Sequence, residues 1–350
     1  MASQEVAAAK VASIFIYPIK SCRGISVSEA PLASTGFRWD RLWMVVNSKG
    51  RAYSQRVEPK LALVEVEMPI EAFSDVWEPN NNSILGDSTS KLLKILILPV
   101  AFDRRFSFSA QCGPKYLAGD QCSLHPTVVR ATGMDLLKIP LAEPSTIADG
   151  VSIWEWAGGA LDEGNEASEW FSRFLGKPSR LVRFNEASET RPVYSDPVRS
   201  YKIKFNDMYP FLLASQGSLD ALNDRLEEPI PMNRFRPNIL VEGCEPFSED
   251  LWKEISINRL TFYAGELCYR CKIPSINQET AVAGSEPTET LRKFRSDKVL
   301  CPDKKPQGRV YFGKMLVCKD SLTQWKSKKI QVGDPVYIHE LLPSYNDAAA

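Results

Sequence analysis

Two cysteines separated by two residues, Cys268 and Cys271, are the part of the sequence best suited to chemistry. They stand in the stretch GELCYRCKIP, residues 265–274. Such a pair can bind zinc, exchange thiols and disulfides, or pack as two buried thiols. It can also give a single thiolate to a metal whose other ligands come from an organic cofactor.

The neighbouring sequence weighs against the first two interpretations. A zinc site needs a second cysteine pair, and a thioredoxin-type pair should open a helix after a strand. The strand-like RLTFYAGEL comes before this pair, and Pro274 follows it. The two histidines, His125 and His339, are too few for a histidine zinc site or a Cys–His nucleophile. The other cysteines are isolated in the sequence: Cys22, Cys112, Cys122, Cys244, Cys301 and Cys318.

The single-thiolate interpretation requires basic residues that neutralise an anionic cofactor and favour the thiolate. Arg270 is adjacent to Cys271 in the sequence. Lysine and arginine side chains at strand ends can converge on a phosphate, and arginine does so with two parallel hydrogen bonds. Three further stretches offer such groups: YPIKSCRG with Lys20, Ser21 and Arg23, WDRLWM with Arg41, and MNRFRPNILVEG with Arg234, Arg236 and Asn238.

The composition sets the broad class of the protein. A chain of 350 residues predicts about two domains, and 43 basic residues balance 43 acidic ones. This balance gives no electrostatic indication of nucleic acid or an anionic membrane as a partner. The longest apolar run, residues 92–102, spans about half a bilayer and contains a lysine, so we predict no transmembrane segment. We also recognise no signal peptide or membrane anchor at the N-terminus, and the irregular cysteine spacing is typical of reduced cytosolic thiols.

Strand-like segments dominate the chain, and proline and glycine separate them. They include VASIFIYPIK (11–20), RLWMVVNSKGRAYSQR (41–56), LALVEVEMP (61–69) and, later, VSIWEWAG, RLVRFN, YKIKFND, NILVEG, RLTFYAG, RVYFGKMLV and VGDPVYIHE. Short strands at this spacing predict a mainly β fold with a few helices, built of barrels or sandwiches rather than a doubly wound sheet.

Helical periodicity is clear in two places. NEASEWFSRFLGK predicts an amphipathic helix with Gly176 just past its end. SQGSLDALNDRLEEP predicts a second helix with Ser218 as its N-cap. An apolar stripe needs only a core to face, so we interpret both helices as packing elements.

Five stretches in this order resemble the MOSC-domain proteins that carry an N-terminal MOSC-associated β-barrel domain: IYPIKSCRG, WDRLWMVV, MNRFRPNILVEG, CYRC and VGDPVYIHE. Within that group, the pattern is similar to the amidoxime-reducing components, in the plant-type version. The resemblance implies an N-terminal β-barrel-like domain over residues 8–145, a bridge with a helix over 146–184, and a MOSC β-barrel domain over 185–341.

The resemblance also implies a site. Cys271 would be the thiolate ligand of molybdenum in a molybdopterin cofactor, and it would be the catalytic and metal-binding residue. The cofactor would be held by Lys20, Ser21, Arg41, Arg236, Asn238 and Arg270. Some relatives have a threonine and a serine where this chain has Met208 and Tyr209. Cys268 would be a packed thiol beside the site.

The implied activity is the reduction of N-hydroxylated compounds such as amidoximes and hydroxylamines. Electrons would come from cytochrome b5 and its NADH-dependent reductase, in a cytoplasmic or mitochondria-associated location. At the level of the family, the resemblance also implies pyridoxal phosphate binding. An alternative of another class is a non-catalytic module that carries the cofactor or sulfur on Cys271, as MOSC domains do when fused to molybdenum-cofactor sulfurases.

Residues 86–126 do not fit the pattern of the resembling proteins. This stretch has no hydrophobic period, contains Cys112 and Cys122, and interrupts a strand that resumes at about Thr127. We interpret it as an insertion that the function does not need. A closed loop's entropy cost grows slowly with length, so the fold would tolerate it on the surface, remote from Cys271.

Overall fold

The structure is a computed structural model that describes residues 6–74, 126–195, 198–323 and 328–349. Its strands are β1 (Ala9–Ile16), β2 (Ile25–Val27), β3 (Glu29–Ala33), β4 (Gly36–Phe37), β5 (Trp43–Asn47), β6 (Glu65–Glu67), β7 (Thr127–Arg130), β8 (Leu137–Ile139), β9 (Ile147–Ile153), β10 (Trp156–Asp162), β11 (Ser179–Phe184), β12 (Arg191–Pro192), β13 (Lys202–Ile203), β14 (Phe211–Ser215), β15 (Ile239–Glu242), β16 (Trp252–Ile257), β17 (Leu260–Tyr269), β18 (Tyr311–Cys318), β19 (Lys329–Gln331) and β20 (Pro335–Leu341). The α-helices are α1 (Asn165–Leu175), α2 (Gln216–Asn223), α3 (Thr288–Phe294), α4 (Asp297–Leu300) and α5 (Tyr345–Ala348). The predicted fold class, mainly β with a few helices, is confirmed.

Seven strands form a closed barrel. Their order is β15, β14, β18, β17, β16, β20 and β1, and a β15–β1 pairing closes the ring. Closure removes the sheet edges that would otherwise expose unpaired backbone groups. The first strand of the chain therefore completes a barrel whose other strands come from its C-terminal half. As a result, the residues that follow β1 lie at one end of that barrel.

The remaining strands form smaller sheets beside the barrel. A four-stranded sheet has the order β5, β11, β10 and β9, and a three-stranded sheet has the order β6, β7 and β8. Helix α1 packs on β11 and β8 through Trp170 and Phe171, and the Trp170 indole donates to the Asp135 carbonyl at 2.7 Å. Gly176 adopts a left-handed conformation (φ 70°) just past α1, as its position in the sequence predicted. The domain boundaries stay predictions.

The predicted N-cap of the second helix is wrong. The N-cap of α2 is Ser215, whose side chain accepts a hydrogen bond from the Ser218 amide at 3.0 Å. Ser218 occupies the third helical position instead. The error arose because strand β14 runs directly into the helix, and a residue that ends one element can cap the next.

Two segments interpreted as single strands have a different structure. VSIWEWAG is the centre of a hairpin, in which β9 and β10 are joined by the two residues Trp154 and Glu155. In LALVEVEMP only Glu65–Glu67 is a strand, after a 3-10 turn over Pro59–Leu63. Neither Trp nor Glu is a typical hairpin-turn residue, so the residue types gave no indication that a turn interrupts this segment.

The stretch 86–125, with Cys112, Cys122 and His125, lies outside the described residues.

A buried carboxyl group supports the start of α2. Glu249 is fully buried, and its Oε1 accepts from the Ser218 hydroxyl at 2.6 Å and from the Ser215 amide at 3.3 Å. Burial, together with the charge of Asp250, raises the pKa of Glu249 to about 7, although the hydroxyl of Ser218 opposes this rise. The folded protein therefore holds the Glu249 proton more tightly than the unfolded chain does.

This difference predicts how stability depends on pH. The contribution of Glu249 is complete below its ordinary pKa of 4.5 and is lost as pH rises through about 7. Relative to Glu249→Gln, the wild-type protein should lose about 3 kcal/mol of unfolding free energy between pH 4.5 and 8. Urea denaturation across this range measures the difference. Glu245 is exposed, so Glu245→Gln is the control. Its difference in unfolding free energy from the wild-type protein should not change across this pH range. A flat difference for Glu249→Gln would contradict the prediction.

Candidate functional site

A cavity of about 620 Å³ opens where the N-terminal hairpin β9–β10 meets the end of the closed barrel. Seven basic and two acidic side chains line it, although the whole chain carries equal numbers of each sign. A cavity with walls of one charge attracts and orients a ligand of the opposite charge. The cavity is therefore suited to an anionic ligand.

The structure brings to this cavity all of the residues that the resemblance assigned to the site: Lys20, Ser21, Arg41, Arg236, Asn238, Arg270 and Cys271. They come from four separated parts of the chain: the segment after β1, the segment between β4 and β5, the turn before β15, and the segment after β17. Arg23 and Arg234, which the sequence analysis also considered, do not line it. The function of each residue stays a prediction, while their proximity is a property of the fold.

Asp40 organises the inner wall of the cavity. Its buried carboxylate accepts hydrogen bonds from the Tyr17 amide at 2.9 Å, from Arg41 at 2.7 Å to both oxygens, and from the Asn206 and Asn238 amides at 3.1 Å. One carboxylate thus joins the end of β1 to the barrel segments on both sides of β14. Arg41 also donates to the Asn238 side-chain oxygen at 3.0 Å, which fixes the orientation of that amide.

The ring of Tyr17 supports two of the predicted arginines. The guanidinium carbons of Arg41 and Arg236 each lie 4.3 Å from its ring centroid, and its hydroxyl donates to the Pro237 carbonyl at 3.1 Å. Such cation–π contacts attract the two cations to one aromatic ring despite their like charges. A Cβ on Gly24 would stand 2.5 Å from this ring, so only glycine leaves room for it.

Three of the predicted residues have strained backbones. Ser21, Arg41 and Arg236 adopt positive φ angles of 69°, 47° and 57°, a region that residues other than glycine rarely occupy. Such strain costs on the order of 1–3 kcal/mol per residue, and it persists where the surroundings enforce it, often at functional sites. At these three positions the strained backbone sets where a side chain stands in the cavity wall.

Arg236 has a guanidinium that the protein itself does not satisfy. It is 9% exposed and lines the cavity, but it has no hydrogen-bond or ion-pair partner among the residues that the structure describes. Burial lowers the pKa of Arg236 to about 10, so it still carries its charge at neutral pH. Arg270, another lining residue, has a buried Nε without a hydrogen-bond partner. These unpaired donors match the acceptor oxygens of a phosphate or a polar ring edge.

Asp207 and Arg56 belong to the cavity, and the sequence analysis missed both. Asp207 accepts from the Lys20 ammonium, from Arg56 at 2.8 Å and from the Trp154 indole at 3.2 Å. Burial opposes ionisation of Asp207, yet the positive charges of Lys20 and Arg56 hold its pKa well below the ordinary value. Burial in turn lowers the pKa of Lys20 to about 8, although Asp207 partly offsets this. The position of Asp207 after the strand-like YKIKF was the available signal.

The two cysteines have different surroundings. Cys268 accepts a hydrogen bond from Arg270 at 3.0 Å and packs among apolar side chains. Burial raises the pKa of its thiol, and Arg270 opposes that rise. Cys271 lines the cavity together with Arg56. Burial lowers the pKa of Arg56, but the neighbouring Asp207 and Cys271 side chains outweigh burial and raise it above its ordinary value.

The alternative uses of the cysteine pair find little support in the geometry. The described part of the chain contains no group of three or more His, Cys, Asp or Glu side chains that could hold a metal by themselves. The segment after Cys271 is a 3-10 turn, Ile273–Ser275, and not the α-helix of a thioredoxin-type site. Tyr209 also lines the cavity. Its ring needs the absence of a Cβ at Gly265, which would stand 2.4 Å away.

Comparison with known proteins identifies two domains. The sequence profile of the MOSC N-terminal beta barrel domain matches residues 8–91 and 116–178, and that of the MOSC domain matches residues 200–337. Residues 92–115 match neither profile.

No helix among the described ranges is long and apolar enough to cross a membrane.

Similar proteins cover most of the chain. It is 29% identical to mitochondrial amidoxime-reducing component 1 of Mus musculus over 339 residues, which cover 94% of this chain and 82% of that one. It is 29% identical to mitochondrial amidoxime reducing component 2 of Bos taurus over 342 residues, with 93% and 82% coverage. It is 28% identical to the molybdenum cofactor sulfurase of Danio rerio over 312 residues, which cover 82% of this chain and 30% of that one.

The buried Asp40 carboxylate predicts a large effect on stability. Asp40→Ala should reduce the free energy of unfolding by about 3–5 kcal/mol, because it removes a buried, hydrogen-bonded carboxylate and leaves the partly buried Arg41 without its counter-charge. Chemical denaturation of the cofactor-free protein measures this loss. The control is Glu65→Ala, which removes an exposed ion pair to Arg23 at 2.9 Å and should cost less than about 1 kcal/mol. Similar losses in the two variants would contradict the central role of Asp40.

Proposed function

Because this chain belongs to the MOSC-domain proteins and contains both the MOSC N-terminal β-barrel domain and the MOSC domain, we propose that it reduces N-hydroxylated compounds at a molybdenum cofactor. The observation that carries the proposal is the cavity, where seven basic side chains surround the Cys271 thiol. An anionic cofactor with a metal that needs one protein thiolate would match both features.

The residues present fit this group. Arg236 and the Ser21 hydroxyl face the cavity without partners in the described residues, and Arg270 keeps a buried N–H unpaired. We propose that they bind the phosphate and the polar pterin edge together with Lys20 and Arg41. Asn238, fixed by Asp40, would hold the inner side of the cofactor. Cys271 would bind the metal, since Cys268 is engaged by Arg270.

When bound, the molybdenum cofactor supplies a centre that accepts an oxygen atom and exchanges two electrons. The overall reaction is R–NHOH + 2 e⁻ + 2 H⁺ → R–NH2 + H2O, in which the N–O bond breaks and the oxygen leaves as water. The chain's own residues bind and orient the reactants. Lys20, Arg56 and Asp207 form a hydrogen-bonded group beside Cys271 that can hold water and exchange protons near the reacting bond.

We propose cytochrome b5 and its NADH-dependent reductase as the electron source, in a cytoplasmic or mitochondria-associated location. The names of the mouse and bovine relatives, amidoxime-reducing components, support the reaction class. The match to a molybdenum cofactor sulfurase supports a second candidate, in which the chain carries cofactor or sulfur on Cys271 without turnover. Pyridoxal phosphate binding stays a prediction.

The first test separates these two candidates. Purified protein loaded with cofactor should catalyse NADH-dependent reduction of benzamidoxime when cytochrome b5 and its reductase are present. Cys271→Ser should abolish turnover, because an alkoxide is a harder ligand than a thiolate. The matched control Cys268→Ser should keep most of it. Bound molybdenum without turnover in the wild-type protein would favour the carrier function, and full turnover in Cys271→Ser would refute the ligand assignment.

A second test concerns the unpaired arginine. Arg236→Ala should lower cofactor affinity by roughly ten- to 150-fold, since a charge-assisted hydrogen bond contributes about 1.5–3 kcal/mol. The melting temperature of the cofactor-free protein should hardly change, because Arg236 has no polar partner among the described residues. Molybdenum and pterin content after purification measures occupancy.

Arg234→Ala is the matched control for this test. Arg234 lies two residues away, donates to the Pro274 carbonyl at 3.1 Å and does not line the cavity. Its replacement should leave cofactor occupancy unchanged. Equal occupancy in Arg236→Ala and wild type would contradict the assignment of Arg236 to the cofactor.

A further inference from the structure

The exposed aromatic side chains of this protein are concentrated at the cavity. Among the described residues, the aromatic side chains that are more than about a third exposed are Trp154 (56%), Tyr194 (71%) and Tyr269 (38%). All three line the cavity, and we call them the aromatic rim. Aromatic rings usually contribute their large apolar area to a core, so three exposed rings at one opening indicate a use that requires exposure.

The backbone of Trp154 is strained. It is the first residue of the two-residue turn between β9 and β10, and its φ is +53°. A hairpin turn with positive φ at this position favours glycine, because a Cβ and a bulky ring are disfavoured there. Folding alone would therefore select glycine at this turn. A tryptophan at such a position is consistent with a role for its ring beyond the fold.

Two polar contacts fix the indole beside the reacting centre. The Arg56 guanidinium carbon lies 5.0 Å from the ring centroid, and the indole N–H donates to Asp207 at 3.2 Å. Arg56 donates to Asp207 at 2.8 Å, and Arg56, Asp207 and Cys271 all line the same cavity as Trp154. The indole therefore lines the same cavity as the Cys271 thiol, and more than half of its surface remains open to a ligand.

From these observations we propose that the aromatic rim is the binding surface for the organic part of the substrate and that Trp154 selects flat, aromatic N-hydroxylated compounds over small aliphatic ones. The inference rests on the proposed reductase function and adds the substrate class. An aryl or heteroaryl ring stacked on the indole would direct its N–OH group toward Cys271. An aliphatic analogue has no π-system to stack, so it would bind only through its polar group.

The rim residues differ in how they would contribute. Tyr269 directly precedes Arg270 in the sequence. The guanidinium carbon of Arg309 lies 4.6 Å from the centroid of the Tyr269 ring. Tyr194 is the most exposed of the three, and no described residue makes a ring-stacking or cation–π contact with it, so its ring can adjust to the ligand. Trp154, which is fixed by Arg56 and Asp207, is the rigid member and the one that sets selectivity.

The experiment compares benzamidoxime with acetamidoxime, which share the reacting group and differ in the ring. For Trp154→Ala we expect kcat/KM for benzamidoxime to fall by roughly three- to tenfold, mainly through KM, with acetamidoxime within about twofold of wild type. Trp154→Phe keeps a ring and loses only the N–H to Asp207, so it should retain most of the preference. Trp154→Gly suits the left-handed turn and should lose the preference with a melting temperature close to that of wild type.

A binding measurement tests the rim without turnover. Calorimetric titration of the cofactor-loaded protein, with no electron donor present, should show tighter binding of benzamidoxime than of acetamidoxime in wild type and Trp154→Phe but not in Trp154→Ala. If the wild-type protein binds with this preference but reduces neither compound, the reductase proposal fails and the rim assignment stands.

Three results would overturn the inference. Equal losses for both amidoximes in Trp154→Ala would mean that the indole acts only by holding Asp207 and Arg56. A change confined to KM for cytochrome b5 would mean that the rim docks the electron donor. A collapse of the fold in Trp154→Gly, together with lost selectivity, would mean that the indole is structural.

Discussion

The structure around the cavity depends on one buried carboxylate, that of Asp40. It is 1% exposed and accepts hydrogen bonds from a backbone amide, a guanidinium and two side-chain amides. Apart from the neighbouring Arg41, these donors belong to the segment after β1 and to segments on both sides of β14, which are far apart in the sequence. Since a buried charge is stable only when it is fully paired, this single group holds Arg41 and Asn238 in the cavity wall.

The distribution of charge follows from this arrangement. The chain has no net charge, yet its cavity gathers basic groups that the protein pairs only in part. Arg41 is paired with Asp40 and Lys20 with Asp207, whereas Arg236 faces the cavity without a polar partner among the described residues. Pairing fixes Arg41 and Lys20 in the cavity wall, and the guanidinium of Arg236 keeps its donors available to a ligand.

Close packing around small residues gives this wall its shape. Gly24 leaves space for the Tyr17 ring, on which Arg41 and Arg236 lie, and Gly265 leaves space for the Tyr209 ring. Positive φ angles at several lining residues show that the tertiary structure imposes conformations which the local sequence would not choose. Strain and close contact therefore occur together where the protein has to place side chains accurately.

The sequence by itself determined the fold class, the main strands, the end of α1 at Gly176 and seven of the residues that line the cavity. These features depend on local periodicity, on turn residues and on motifs that retain their order in the chain. The sequence did not predict the pairing of β1 with β15, the Asp40 hydrogen bonds, or the places of Arg56 and Asp207. It also missed the hairpin turn at Trp154, because neither of its two residues is a usual turn former. Only the tertiary structure could decide these points, since each depends on contacts between segments that the chain brings together after long separations.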